Sequence, residues 1–146
     1  MPIVIPIDIM YDHSVRPAWM LREPIQQETR YIRQTGGPGR FAIISLYFKP
    51  NTIDSTAVFI DDTHLDESDI ANYYDDELEH FPIAIAHGMA RALNELHQVQ
   101  QTIVNLTITL THFRVHPIDS NEISYRTAGE MCVKEMLTKA MLVRLN

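Results

Sequence analysis

Residues 102–113, TIVNLTITLTHF, alternate more cleanly than any other stretch of the chain. Val104, Leu106, Ile108 and Leu110 fall on one side; Asn105, Thr107, Thr109 and Thr111 fall on the other. A period of two is the mark of a β-strand with one face in the core and one wet. RFAIISLYF, residues 40–48, is apolar on both faces and predicts a central strand. IQQETRYIRQ, before it, reads as its hairpin partner, with RQTGGPGRF as the glycine-rich connection. TAVFI is a short third strand after the turn KPNTIDS. PIVIPIDI repeats isoleucine at positions 3, 5, 7 and 9, but Pro2 and Pro6 remove ladder donors. It predicts an edge strand or an extended arm, with YDHSVRPAW as the connection onward.

Two stretches switch to helical spacing. In ELEHFPIAIAHGMARALNELHQ, Ile85, Met89, Leu93 and Leu96 share a stripe, and Pro82 must lie in the first turn. Acidic residues before this helix complement its N-terminus. In the second, Ala128, Cys132, Met136 and Ala140 form the stripe, with Met131 beside it. Asp119 and Glu122 have capping-box spacing, which predicts a start at Asp119. The order β(β)ββ–α–β–α predicts an α+β two-layer sandwich. A mostly antiparallel four-stranded sheet would carry two helices on one face.

Length and composition refine this picture. At 146 residues the chain is one domain by size, and 45% apolar residues with 21% charged are ordinary for a globular protein. No apolar run approaches the roughly 20 residues of a membrane span. The start, MPIVIPIDIM, lacks the features of a secretory signal. One cysteine, Cys132, cannot form an internal disulfide. A reduced, cytoplasmic protein is expected.

The net charge of −7 is unevenly distributed. Residues 51–80 hold ten Asp/Glu and no Lys/Arg, whereas the segments before and after are mildly basic. A protein this acidic binds free nucleic acid poorly as a whole, since backbone affinity comes from cations. A local cationic tip remains available if the acidic segment lies elsewhere.

Catalytic and cofactor signatures are missing from the sequence. There is no phosphate-loop motif, and GGPG opens a strand rather than a helix, so it is no dinucleotide fingerprint. The seven histidines contain no HExxH pair, and His112 and His116 span a strand end and a loop. No cofactor and no metal are expected. The acidic 61–80 stretch reads as a solvated face without EF-hand spacing. His116 with Asp119 is the one acid–base pair worth naming, and it would need an adjoining pocket.

REPIQQETRYIRQTGGPGRFAIISLYFKP resembles the opening hairpin of the fourth domain of translation elongation factor G. VNLTITLTHFRVHPIDSNEISYRTAGEMCVKEML resembles that domain's later strand, tip loop and last helix. The likeness spans residues 22–142, with residues 1–21 left as an N-terminal arm and 22–146 as the domain. It implies a ribosomal-protein-like fold with a left-handed βαβ crossover, a rare hand. It also implies a noncatalytic module that enters the small-subunit decoding site and meets tRNA and mRNA.

On that resemblance, Arg33, Gln34, Thr35, Gly36, Gly37, Pro38, Gly39 and Arg40 form a first tip loop. His116, Pro117, Ile118, Asp119 and Ser120 form a second. Bare glycines would admit an RNA backbone, and the arginines would meet phosphates. Pro38 stands where the family usually has a basic residue. The family's GTPase and C-terminal domains are not in this sequence. It reads either as an excised piece or, given Met1 and the unusual arm, as a freestanding protein. The alternative function is a protein-interaction domain that kept the fold and lost RNA binding. It would use the acidic segment or the N-terminal edge strand, which also allows a homodimer.

Overall fold

The computed structural model describes residues 2–10, 17–52, 57–71 and 75–145. Its strands are β1 (Ile3–Ile5), β2 (Ala18–Leu21), β3 (Ile25–Arg33), β4 (Arg40–Pro50), β5 (Ala57–Asp61), β6 (Thr102–Ile103), β7 (Leu106–Arg114) and β8 (Leu142–Leu145). Its helices are α1 (Glu67–Ala71), α2 (Asp75–Leu78), α3 (His80–Gln98) and α4 (Glu122–Lys139).

The main sheet has five strands, in the order β1-β5-β7-β4-β3, rather than the four expected. Only β5 and β7 run parallel, and α3 lies between them in the chain, making the βαβ crossover. The additional strand is the isoleucine-rich arm: Ile3–Ile5 pairs antiparallel with Phe59–Asp61 along the sheet edge. Proline confines such a segment to an edge, as the sequence indicates. Beyond it, Asn94 on α3 holds the arm twice. Its Oδ1 accepts the Met10 N–H at 2.8 Å, and its Nδ2 donates to the Asp8 carbonyl at 2.9 Å.

A second sheet, ordered β6-β2-β8, was not expected. Part of the supposed connection YDHSVRPAW becomes strand β2; residues 11–16 lie outside the described residues, as do 53–55 of the KPNTIDS turn. Four-residue strands such as AWML and LVRL carry too few repeats to display a period. Strand β2 pairs with β8 from Ala18↔Leu145 to Leu21↔Leu142, and Arg144 lies 5.9 Å over the Trp19 ring.

The expected single strand 102–113 is two. Asn105 takes φ of 56°, a left-handed conformation that Asn tolerates, and this separates β6 from β7. Leu106, Ile108 and Leu110 keep their core side. Then the register against β4 slips: Ser45 faces His112 but Leu46 faces Leu110. Thr111 is the extra residue of a β-bulge, and its hydroxyl donates to the Ser45 carbonyl at 3.1 Å. The bulge exchanges the faces, so Phe113 enters the core and His112 does not.

Both long helices bury their stripes in one core with the inward residues of β4 and β7. They cross at two glycines. A Cβ on Gly88 would stand 2.0 Å from the Arg126 carbonyl oxygen, and one on Gly129 would stand 2.4 Å from that of Ile85. Phe81 stacks on Tyr125 with ring centroids 4.3 Å apart, and Phe113 meets Tyr125 edge-on at 5.6 Å.

Helix α3 ends without glycine. The Gln101 N–H donates to Leu96 and the Gln100 N–H to His97, which is a Schellman closure. Gln100, at φ of 61°, takes the left-handed position that glycine favours. Among the described residues, no helix is long and apolar enough to cross a membrane.

Candidate nucleic-acid interface

The hairpin β3–β4 is in register from Ile25↔Phe48 to Arg33↔Arg40. Its loop, residues 34–39, leaves Gln34, Thr35, Gly36, Gly37 and Pro38 exposed. Gly36 and Gly37 have φ of 73° and 125°, values that residues with a side chain adopt with strain. Arg33 is exposed and faces Arg40, which is half-buried with Nη1 donating to the Gly39 carbonyl at 3.1 Å. Like charges opposed on one rung oppose folding.

The second loop lies directly against the first. The Phe41 N–H donates to the Asp119 carbonyl at 3.0 Å, and the Ser120 hydroxyl donates to the Phe41 carbonyl at 2.9 Å. Gln34 Nε2 reaches Asp119 Oδ2 at 2.7 Å. Gly39 is packed so closely that a Cβ there would stand 2.1 Å from Asp119 Oδ1. The rings of Phe41 and His116 are 5.5 Å apart. The two segments singled out in the sequence therefore form one apex. Arg33, Gln34, Thr35, Gly36, Gly37, Pro38, Gly39 and Arg40 come from the hairpin; His116, Pro117, Ile118, Asp119 and Ser120 come from the β7–α4 loop.

Asp119 is not the helix cap that its spacing with Glu122 predicts. Helix α4 starts at Glu122, and Asn121 Oδ1 accepts the Ser124 N–H at 2.9 Å as the cap. Asn121 is extended, at φ of −154°, as a cap requires. The Asp119 carboxylate is instead committed to Gln34 and to the pocket that Gly39 vacates.

His116 Nδ1 accepts the N–H groups of Ile118 and Asp119, at 3.2 and 3.0 Å. An accepting Nδ1 carries no proton, so the hydrogen bonds assign the proton to Nε2. The same assignment means that the 3.7 Å approach of Nδ1 to Asp119 Oδ2 is not an ion pair. Ser120 is buried and accepts the His116 N–H at 2.8 Å, fixing the turn from inside. Ile118, 82% exposed, crowns the loop.

Sequence reasoning missed two supports. Tyr125 is fully buried; its hydroxyl donates to the Arg114 carbonyl at 2.6 Å and lies 3.2 Å from Ser120 Oγ. Phe41 supplies the backbone N–H that meets the Asp119 carbonyl and the carbonyl that accepts the Ser120 hydroxyl. Both residues lie within the stretches that carry the family resemblance, but a lone aromatic in a helix or strand gives no sign that it anchors a distant turn.

A small α+β sandwich whose two loops close into one arginine-bearing tip has recognisable relatives. A family model described as Elongation factor G, domain IV, matches residues 15–141. The chain belongs to that family. It is 33% identical over 115 residues to elongation factor G 1 of Syntrophomonas wolfei, covering 79% of this chain and 15% of that protein. It is 27% identical over 125 residues to elongation factor G of Fervidobacterium nodosum, covering 86% of this chain and 17% of that one. The chain thus spans about a sixth of the length of these relatives. A crystal structure of a Thermus thermophilus protein superposes with a TM-score of 0.62 at 15% identity, over 87% of this chain and 17% of that one, which is a likeness of fold.

Proposed function

We propose that this chain is a noncatalytic translation module that meets RNA at its apex, as the corresponding domain of elongation factor G does in the decoding site. Its partners on this reading are the small ribosomal subunit and the tRNA–mRNA pair, in the cytoplasm. The observation that carries it is the Arg33↔Arg40 rung at the end of the hairpin, beside the loop of His116. Two guanidinium groups there suit phosphates, and the exposed glycine loop suits close backbone approach. The Nε2–H of His116 adds a neutral donor. The acid–base alternative for His116 and Asp119 is weakened because both are spent on the loop: Nδ1 accepts backbone N–H groups, and the carboxylate accepts from Gln34.

Sedimentation with small ribosomal subunits tests the reading. The chain should co-sediment, with affinity falling as salt rises. Arg33→Gln with Arg40→Gln should lower the salt slope by about one for each phosphate no longer neutralised. Association that is unchanged by these substitutions together with His116→Ala removes the apex from the interaction. A second reading, as a protein-binding module, is favoured by β1, where Ile3 and Val4 are 59% and 63% exposed on an edge strand. It predicts salt-insensitive capture of a protein that Val4→Lys abolishes and the arginine changes do not.

A further inference from the structure

The acidic connection after β5 continues alongside β7 in the same direction: the N–H groups of Asp62 and His64 donate to the Leu110 and Thr111 carbonyls, each at 3.0 Å. There two carboxylates and one imidazole converge. We propose that Asp66, Asp69 and His112 bind a divalent transition-metal ion. His112 Nε2 lies 3.8 Å from Asp66 Oδ2 and 3.9 Å from Asp69 Oδ2, and the three donor atoms all lie within 4.8 Å of one another. These gaps are too wide for hydrogen bonds, so the imidazole satisfies neither oxygen.

Asp69 carries the argument. Its side chain is 2% exposed. Oδ1 accepts the Val115 N–H at 3.1 Å and stands 4.0 Å from Arg114 Nε. Oδ2 is sealed from solvent and has no hydrogen-bond partner among the described residues. Leaving a buried carboxylate oxygen unpaired is costly. Arg114 does not meet that need, because it approaches the other oxygen. A cation held between Oδ2, Asp66 and His112 meets it directly.

The donor set selects the ion. One imidazole with two carboxylates suits Zn²⁺, Mn²⁺ or Co²⁺, whereas Ca²⁺ and Mg²⁺ prefer oxygen alone. Bonds of about 2.1 Å to zinc place tetrahedral donors about 3.4 Å apart. The two imidazole–carboxylate gaps, 3.8 and 3.9 Å, need to close by about half an ångström, and the two carboxylates, within 4.8 Å of each other, by up to about 1.4 Å. Asp66 is exposed and His112 only half-buried, so both have room to move, and water can fill the remaining position. The bulge at Thr111 makes the site, since it turns His112 away from the core side that Phe113 takes. An ion here would fasten the acidic connection to β7 beside Val115, the residue before His116.

Calorimetric titration of the full chain with Zn²⁺ alone, and visible absorption with Co²⁺ alone, test this. The expected result is about one equivalent bound, with cobalt d–d bands. Asp66→Asn, a change at an exposed position, should weaken binding about tenfold or more, and His112→Gln should abolish the bands. His87→Gln, an exposed histidine on α3, should change neither. The proposal is overturned by no binding up to about 1 mM metal. Binding that Asp66→Asn and His112→Gln leave intact, or that His87→Gln removes, overturns it equally.

Discussion

Gly39 and the carboxylate of Asp119 occupy the space of a single side chain: a Cβ on Gly39 would fall 2.1 Å from Oδ1 and 2.7 Å from Oδ2. The glycine belongs to the hairpin, the aspartate to the loop before α4, and the pair seals the apex from within. So one of the three loop glycines is used inwardly, while Gly36 and Gly37 face open space.

Gly39→Ala should therefore open the apex. The methyl group displaces Asp119, and the Gln34 bond at 2.7 Å goes with it. A loss of about 1–3 kcal/mol is expected in chemical denaturation. Asp119→Gly should cost less, and in the double variant the two effects should fall well short of adding. Additive losses would mean that the two residues do not share that space.

Gln100 should be improvable. It holds the left-handed position that ends α3, at φ of 61°, with a Cβ that disfavours it. Gln100→Gly relieves that strain while adding some unfolded-chain entropy. A net gain of about 0.5–1 kcal/mol is expected, seen as a rise of about 2–4 °C in thermal midpoint. A fall in midpoint would show that the Gln100 side chain contributes more than its backbone strain costs.

Cys132 gives a pH signature. Burial pushes its thiol up from 9.0 to about 12, aided by the nearby Glu135 charge and opposed by a hydrogen bond with Thr29. The unfolded chain ionises at the lower value, so its thiolate favours unfolding. The associated stability is complete below about pH 9 and is lost as pH rises towards about 12. The slope is about 1.4 kcal/mol per pH unit. Cys132→Ala should lack this component of alkaline destabilisation. A thiol reagent at pH 8 should label the folded protein only as fast as it opens. Rapid stoichiometric labelling of folded chain would contradict the burial.

Where the pattern is long, the sequence is legible. The alternation of Leu106, Ile108 and Leu110 and the stripe of Ile85, Met89 and Leu93 all reappear as buried positions. The pairing of the two tip loops was readable only through family resemblance, because 76 residues separate Arg40 from His116. The cap shifted from Asp119 to Asn121 because the tertiary partner Gln34 claims the aspartate, and local spacing cannot register that. Strands β2 and β8 were missed because four residues do not establish a period, and the break at Asn105 that sets β6 apart from β7 leaves the alternation intact. The bulge at Thr111 was equally hidden, and with it the meeting of His112 with Asp66 and Asp69.

In the small sheet, Ala18 and Leu145 sit on the same rung, with β2 and β8 antiparallel. The segment that leads into β3 and the segment that leaves α4 are therefore held side by side, like the two leads of a plug. Tension drawing Ala18 and Leu145 apart would unzip these two strands rung by rung before it strained the stacked aromatic rings further in.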